Sequence, residues 1–286
     1  MNTLLPMEVK NLQEICSQVR RDIVRMVHAV NSGHPGGSLG CVEFFVSLYF
    51  KIMSHSKEFN IDGLNEDIFF LSNGHISPVF YSVLARSGYF PTEELNTFRK
   101  INSRLQGHPA TKEGLPGVRI ASGSLGQALS VAIGTATTKK LNKDDKLIYC
   151  LCGDGEMQEG QVWEAIMYAG SKEIDNLILT IDVNKQQICG STEEIMSLGD
   201  LNKKISTFNW DVIEVDNGNN IKSVCDGIMN AKSKTKNKKP VCILMHTEMG
   251  YGVDFMMGSH KWHGVAPNDE ELERALSQIK ETLGDY

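Results

Sequence analysis

Residues able to hold a divalent cation beside a phosphate come together twice in the middle of this sequence. Gly153-Asp154-Gly155 follows an apolar run and precedes a helical pattern. A carboxylate there is a hard oxygen ligand, and the flanking glycines let backbone amides reach a phosphate at a helix N-terminus. Asn184, in Asp182-Val183-Asn184-Lys185-Gln186, closes the next apolar run. One strand–helix–strand crossover separates the two, so both fall on the same edge of a sheet, where ligands bind in open α/β folds. Asp154, the Asn184 amide oxygen and a nearby main-chain carbonyl, assigned to Gln186, would combine with phosphate oxygens and water into six hard ligands for Mg²⁺ (or Ca²⁺). Alone, a Gly-Asp-Gly is very often a turn; Asn184 in its strand context is what gives it weight.

Histidine supplies the second kind of chemistry. His34, His75, His108 and His263 each adjoin a glycine. Imidazole takes up and releases protons near neutrality and can stabilise a developing oxyanion. His260 is a secondary candidate. His28, His55 and His246 sit in ordinary surroundings and read as core or capping residues.

These residues need a frame. Leu12, Ile15, Val19, Ile23, Val27 and Val30 recur at helical spacing, and Asn31-Ser32-Gly33 stops the helix. Further helices are expected over 41–53, 77–87, 125–140, 161–170, 221–231 and from Asn268 to near Leu283. Apolar runs at 68–71, 146–152, 177–183, 212–215 and 241–245 read as strands buried on both sides, which implies a parallel sheet with right-handed crossovers. The expected fold is α/β: an open, doubly wound, mainly parallel sheet with helices on both faces, built as one domain over 1–286.

Composition narrows the function. Of 286 residues, 41% are hydrophobic and 22% charged, enough for a real core. The net charge of −6 disfavours a nucleic-acid or membrane-surface binder. The basic run Lys232–Lys239 lacks interleaved aromatics and reads as a solvated loop. The N-terminal segment has no apolar signal-peptide core, and the longest uncharged window, 120–138, is too rich in Ser, Gly and Thr to span a bilayer. The seven cysteines lack metal-ligand spacing and read as buried free thiols of a cytoplasmic protein, with Cys150 and Cys152 expected on opposite faces of one strand.

Six ordered segments together resemble the N-terminal part of transketolases: Ser32–Leu39, Leu71–His75, Gly107–Pro109, Gly123–Gln127, the pair of motifs around Asp154 and Asn184, and Gly250–Gly264. The resemblance spans essentially the whole chain. It implies the thiamine diphosphate-binding fold, with thiamine diphosphate as cofactor and transfer of a two-carbon ketol unit from a ketose to an aldose phosphate. It implies cofactor contacts from His75, Gly123, Ser124, Leu125, Gly153, Asp154, Gly155, Glu159, Asn184 and His263. His34 and His263 would assist proton transfer at the donor, His75 would lie near the diphosphate and His108 near the donor's hydroxyls. Glu159 is either part of a carboxylate network across a subunit contact or a helix cap. Two positions depart from the family pattern: Ala128 stands where Gly is usual, and Met249 where bacterial split forms often have Lys.

The family's pyrimidine domain has no counterpart here. The resemblance therefore implies a split enzyme whose N-terminal subunit this is, inactive without a C-terminal subunit carrying that domain, in an α2β2 heterotetramer acting on sugar phosphates. The alternatives are a split ketol transferase specialised for a branched or sulfonated ketose, and a non-catalytic cofactor-binding module.

Overall fold

The computed structural model describes residues 4–286; Met1–Thr3, where the segment read as lacking a signal peptide begins, lie outside the described residues. The amphipathic stripe becomes α1 (Pro6–Ala29), opened by proline and closed by Asn31 in a left-handed conformation. It begins earlier than the apolar spacing indicated, because Pro6 suits a first helical position, where a missing N–H costs nothing. The segment Ser32–Leu39 is also helical in part: α2 (Pro35–Gly40) is buried throughout. A Cβ on Gly36 would lie 2.7 Å from the Met249 side chain and the Trp262 carbonyl oxygen, so glycine is what admits this close packing. The helix expected over 41–53 is α3 (Val42–Ser47) followed by a π-helical turn, Leu48–Ile52.

The rest follows the expected rhythm: β1 (Ile68–Leu71), α4 (Ser77–Arg86), α5 (Ala128–Leu141), β2 (Ile148–Gly153), α6 (Gly160–Ser171) and β3 (Leu177–Val183). A small hairpin, β4 (Gln186–Gln187) with β5 (Gly190–Ser191), and two short helices, α7 (Thr192–Met196) and α8 (Leu201–Thr207), come next. None of these four is marked by an apolar period. The chain continues through β6 (Asp211–Val215), α9 (Ile221–Lys234), β7 (Val241–His246) and α10 (Asp269–Gln278).

Two boundaries are corrected. α5 starts at Ala128 rather than Leu125, because Gly126 has φ +80° and its N–H is turned onto the Glu156 carboxylate. α10 ends at Gln278, short of Leu283, because the last residues run back along α1. There the Lys280 carbonyl accepts from the Ser17 hydroxyl, Thr282 N–H donates to Gln18, and Asp285 pairs with Arg21.

The five long strands form one wholly parallel sheet in the order β1-β2-β3-β7-β6. Alternate strand residues feed two cores. Phe69, Leu71, Tyr149, Leu151, Ile243 and Met245 pack with α1, α3, α4 and α9. Phe70, Cys150, Cys152, Leu179, Ile181 and Leu244 pack with α5, α6 and α8. The doubly wound arrangement is thus observed. Cys150 and Cys152 share one face, not two, since residues two apart on a strand point the same way. All seven cysteines are free, and Cys189 is exposed rather than buried. Among the described residues no helix is long and apolar enough to cross a membrane.

Two glycines of opposite surroundings test this packing. A Cβ on Gly170 of α6 would collide with the Phe208 carbonyl, whereas one on Gly134 of α5 meets nothing within 4 Å. Chemical denaturation should show Gly170→Ala destabilised by about 1–3 kcal/mol and Gly134→Ala stabilised by about 0.5–1 kcal/mol.

Candidate active site

Because β1, β2 and β3 run parallel and in register, their carboxyl ends open onto one cleft. Gly153 pairs with Asp182 across β2 and β3, and the Asp154 N–H continues the ladder to the Asp182 carbonyl at 3.0 Å. Asp154 is only 2% exposed. Its carboxylate accepts from the N–H of Gly155 at 2.8 Å and of Lys185 at 2.6 Å. Asn184 donates its amide to Asp182 at 2.8 Å, and its oxygen accepts from Gln186 N–H at 2.9 Å. Asp182 also receives the Thr247 hydroxyl.

Burial, and secondly the charge of Asp182, push the Asp154 carboxyl up to about 7; burial raises Asp182 as well. No cation among the described residues relieves either one. A desolvated carboxylate pair beside an amide oxygen is a donor set suited to a hard divalent cation. No three His, Cys, Asp or Glu side chains among the described residues form a closed cage. The protein therefore offers an incomplete coordination sphere, which fits a cation shared with a phosphate group.

The four motif histidines form the facing wall. Ring centroids lie 5.0 Å apart for His34–His75, 5.7 Å for His34–His263, 5.0 Å for His75–His263 and 6.4 Å for His34–His108. Burial, followed by the charge of His263, lowers His34 to about 4, and burial is also the first cause of the downward shifts of His75, His108 and His263. All four are accordingly held neutral at pH 7. His34 Nδ1, His263 Nδ1, Asn73 Oδ1 and Ser122 Oγ are buried without a hydrogen-bond partner. Buried polar atoms are rarely left so, and His34, His263 and Asn73 line the cleft, which has a volume of about 380 Å³.

The cleft brings together nearly every residue singled out from the sequence: His34, His75, His108, His263, Gly123, Leu125, Gly153, Asp154, Gly155, Glu159, Asn184 and Gln186 all line it. Ser124 does not; it is exposed beside the lining residues. Glu159 occupies the N-cap position of α6 but its side chain caps nothing, so the capping alternative fails. His28, His55 and His246 are satisfied locally by Asp269, by Tyr49 with Tyr89, and by Glu214. His260 is exposed and lies outside the lining. Sequence reasoning missed Asn73, Asp182, Glu156, Gln158 and Gln187 as lining residues. Asn73 and Asp182 stand inside motifs already noted; the others carry no signal in one dimension.

A family described as the thiamine diphosphate binding domain of transketolase matches residues 12–284. The chain belongs to the transketolase family. Among relatives, an apulose-4-phosphate transketolase subunit from Phocaeicola vulgatus is 35% identical over 281 residues, covering 97% of this chain and 96% of that protein. A 6-deoxy-6-sulfo-D-fructose transketolase subunit from a Clostridium species is 34% identical, covering 94% of this chain and 96% of that one. The solved transketolase of Campylobacter jejuni superposes with a TM-score of 0.87 at 34% identity, over 94% of this chain and 43% of that chain. This transketolase-family chain therefore spans less than half the length of that solved relative.

The neutral histidines imply a pH signature. Their folded pKa values lie below the ordinary 6.5, so as pH falls the unfolded chain binds protons before the folded one does. Stability contributed in this way is full above about 6.5 and falls as pH drops toward about 4, by at most ~1.4 kcal/mol per pH unit for each histidine. The raised carboxyls of Asp154, Asp182 and Glu156 act in the opposite sense over the same range, so the histidine share is read as a difference: between pH 7.5 and 5 the ligand-free His34→Gln variant should lose less stability, or gain more, than wild type as pH falls. A slope unchanged in His34→Gln would contradict the assignment.

Proposed function

We propose that this chain is the diphosphate-binding subunit of a split transketolase, which moves a two-carbon ketol unit from a ketose to an aldose phosphate together with a second chain carrying the pyrimidine domain. The observation that carries the reading is the convergence, in one cleft, of the Asp154–Asn184 oxygen set with four neutral histidines. The names of two relatives that match along almost their full length, each a transketolase subunit, support the division into chains. We take the assembly to be an α2β2 heterotetramer in the cytoplasm, with Mg²⁺ (or Ca²⁺) as the cation.

Asp154 and Asn184, with a main-chain oxygen near Gln186, would hold the cation, and the amides around Gly153–Gly155 would face the diphosphate. Bound thiamine diphosphate supplies the electron sink for cleavage beside a carbonyl. The chain's own part is acid–base work and exclusion of water. Being neutral, His34 and His263 can each offer one ring nitrogen as acceptor for a donor hydroxyl proton and the other as donor to a carbonyl oxygen. The Nδ1 atom of each is buried without a hydrogen-bond partner, so no bond within the chain fixes its tautomer. His75 would contact the cofactor near its diphosphate, and His108, the most exposed of the four, the sugar's hydroxyls. Glu159, exposed at the rim and capping nothing, would meet a carboxylate of a neighbouring subunit.

A second reading keeps the reaction and changes the sugar. The relatives are named for apulose-4-phosphate and for 6-deoxy-6-sulfo-D-fructose, which favours a branched or sulfonated ketose as donor. A non-catalytic module is disfavoured, because the complete oxygen set and all four histidines line the cleft.

The test is co-expression with the candidate partner chain. The pair should form sedoheptulose phosphate from xylulose phosphate and ribose phosphate with Mg²⁺ and thiamine diphosphate, while this chain alone should not. Turnover by the single chain would sink the split arrangement; turnover only with a branched or sulfonated ketose selects the second reading. Asp154→Asn should lose Mg²⁺-dependent cofactor retention in the assembled pair, and retention equal to wild type would contradict the role given to Asp154.

A further inference from the structure

Glu156 has no counterpart among the catalytic or metal-binding assignments above, yet its carboxylate joins three separate segments at the cleft. It is 3% exposed and sits in the single helical turn Gly155–Gln158 after β2. One oxygen accepts from the Ser72 hydroxyl and from Gly126 N–H at 2.6 Å; the other accepts from Gly153 N–H at 3.1 Å. Ser72 and Gly126 are 84 and 30 residues away in sequence, so two of the three bonds are tertiary. Each partner is next to residues that line the cleft: Asn73 follows Ser72, Leu125 precedes Gly126, and Asp154 follows Gly153.

We propose that Glu156 is a positioning residue that fixes the three loops 72–75, 123–127 and 153–155 against one another, and so sets the cofactor-binding geometry. The chemistry requires a carboxylate. Three donors point at two oxygens, and no neutral side chain offers two acceptor atoms in that fork. An isosteric glutamine keeps one acceptor and turns an NH₂ toward a backbone N–H, leaving a buried donor facing a donor. The loops it ties have little other slack: a Cβ on Gly74 would meet the Ser122 carbonyl, and Gly126 holds φ +80°. The consequence for cofactor binding rests on the reading in Proposed function; the bracing of the loops does not.

Two measurements separate these. In the assembled complex with Mg²⁺, Glu156→Gln should raise the thiamine diphosphate concentration for half-maximal rate about tenfold or more, with kcat at saturation within about twofold of wild type. Ser72→Ala should have a smaller effect, and the double variant should resemble Glu156→Gln, since the hydroxyl's acceptor is already impaired. In the ligand-free chain, hydrogen exchange should quicken in 123–127 and 153–155 while α1 keeps its protection. Wild-type exchange in both loops of Glu156→Gln, a loss of kcat with unchanged cofactor requirement, or additive Ser72 and Glu156 effects would each overturn the proposal. If the wild-type complex retains no thiamine diphosphate, the functional reading fails and the exchange data alone decide the role of Glu156. If Glu156→Gln does not fold, Ser72→Ala carries the exchange test in loop 72–75, whose tie to Glu156 it cuts, and unchanged exchange there overturns the bracing.

Discussion

The parallel register of β1, β2 and β3 is the constraint from which the rest of the site follows. Side-by-side parallel strands end at one edge, so whatever follows each strand is delivered to the same place. Leu71 pairs with Leu151, and Gly153 with Asp182. The loops beginning at Ser72, Asp154 and Asn184 therefore meet without any long-range instruction beyond strand pairing. A one-residue slip of β3 would turn Asp182 and its neighbours to the opposite face and separate Asn184 from Asp154. Both faces of these strands are apolar, so what resists such a slip is the fit of particular side chains into the two close-packed cores.

Burial then divides the cleft electrically. Desolvation acts on both walls with opposite effect: it raises the acids Asp154, Asp182 and Glu156 and lowers the histidines. The two walls differ in what would satisfy them. A hard divalent cation would relieve the acid wall, and the backbone amides beside it suit the oxygens of an anionic ligand. The histidine wall needs only hydrogen-bond partners, which a polyhydroxylated sugar offers in number. One cleft thus accommodates a charged group at one end and a neutral polar one at the other. Glu156 differs from Asp154 although both are buried acids: three donors satisfy it within the protein, so its charge serves the scaffold, whereas that of Asp154 remains for a ligand.

Much of this was legible in one dimension. Strands buried on both sides announce themselves as mainly apolar runs, as at 146–152 and at 177–183, where only Thr180 and Asp182 interrupt it, and the glycine-flanked histidines mark backbone turns that end in a functional group. What stayed hidden has physical causes. α7, α8 and the β4–β5 hairpin are short and partly exposed, so no apolar period records them. The end of α10 is set by tertiary bonds to α1, from Gln18 and Arg21, which no local pattern encodes. Glu156 belongs to this second kind. Its importance lies in partners at 72 and 126, and proximity in the chain to Asp154 makes it look like an ordinary turn residue.

The same distinction bears on how such a site is divided between chains. The contacts that hold the cleft's shape are all internal to this chain: the strand register, the Glu156 hub and the packing of α2 against Met249 and Trp262. Several of the groups left without a partner belong to residues that line the cavity, among them His34, His263 and Asn73, and Glu159 and Leu125 stand exposed at its rim. A domain that completes its own scaffold while leaving ligand-facing groups unmet can be separated from its partner without loss of fold. Its chemistry would not separate in that way if, as proposed, cofactor, cation and partner fill the open side of the cleft.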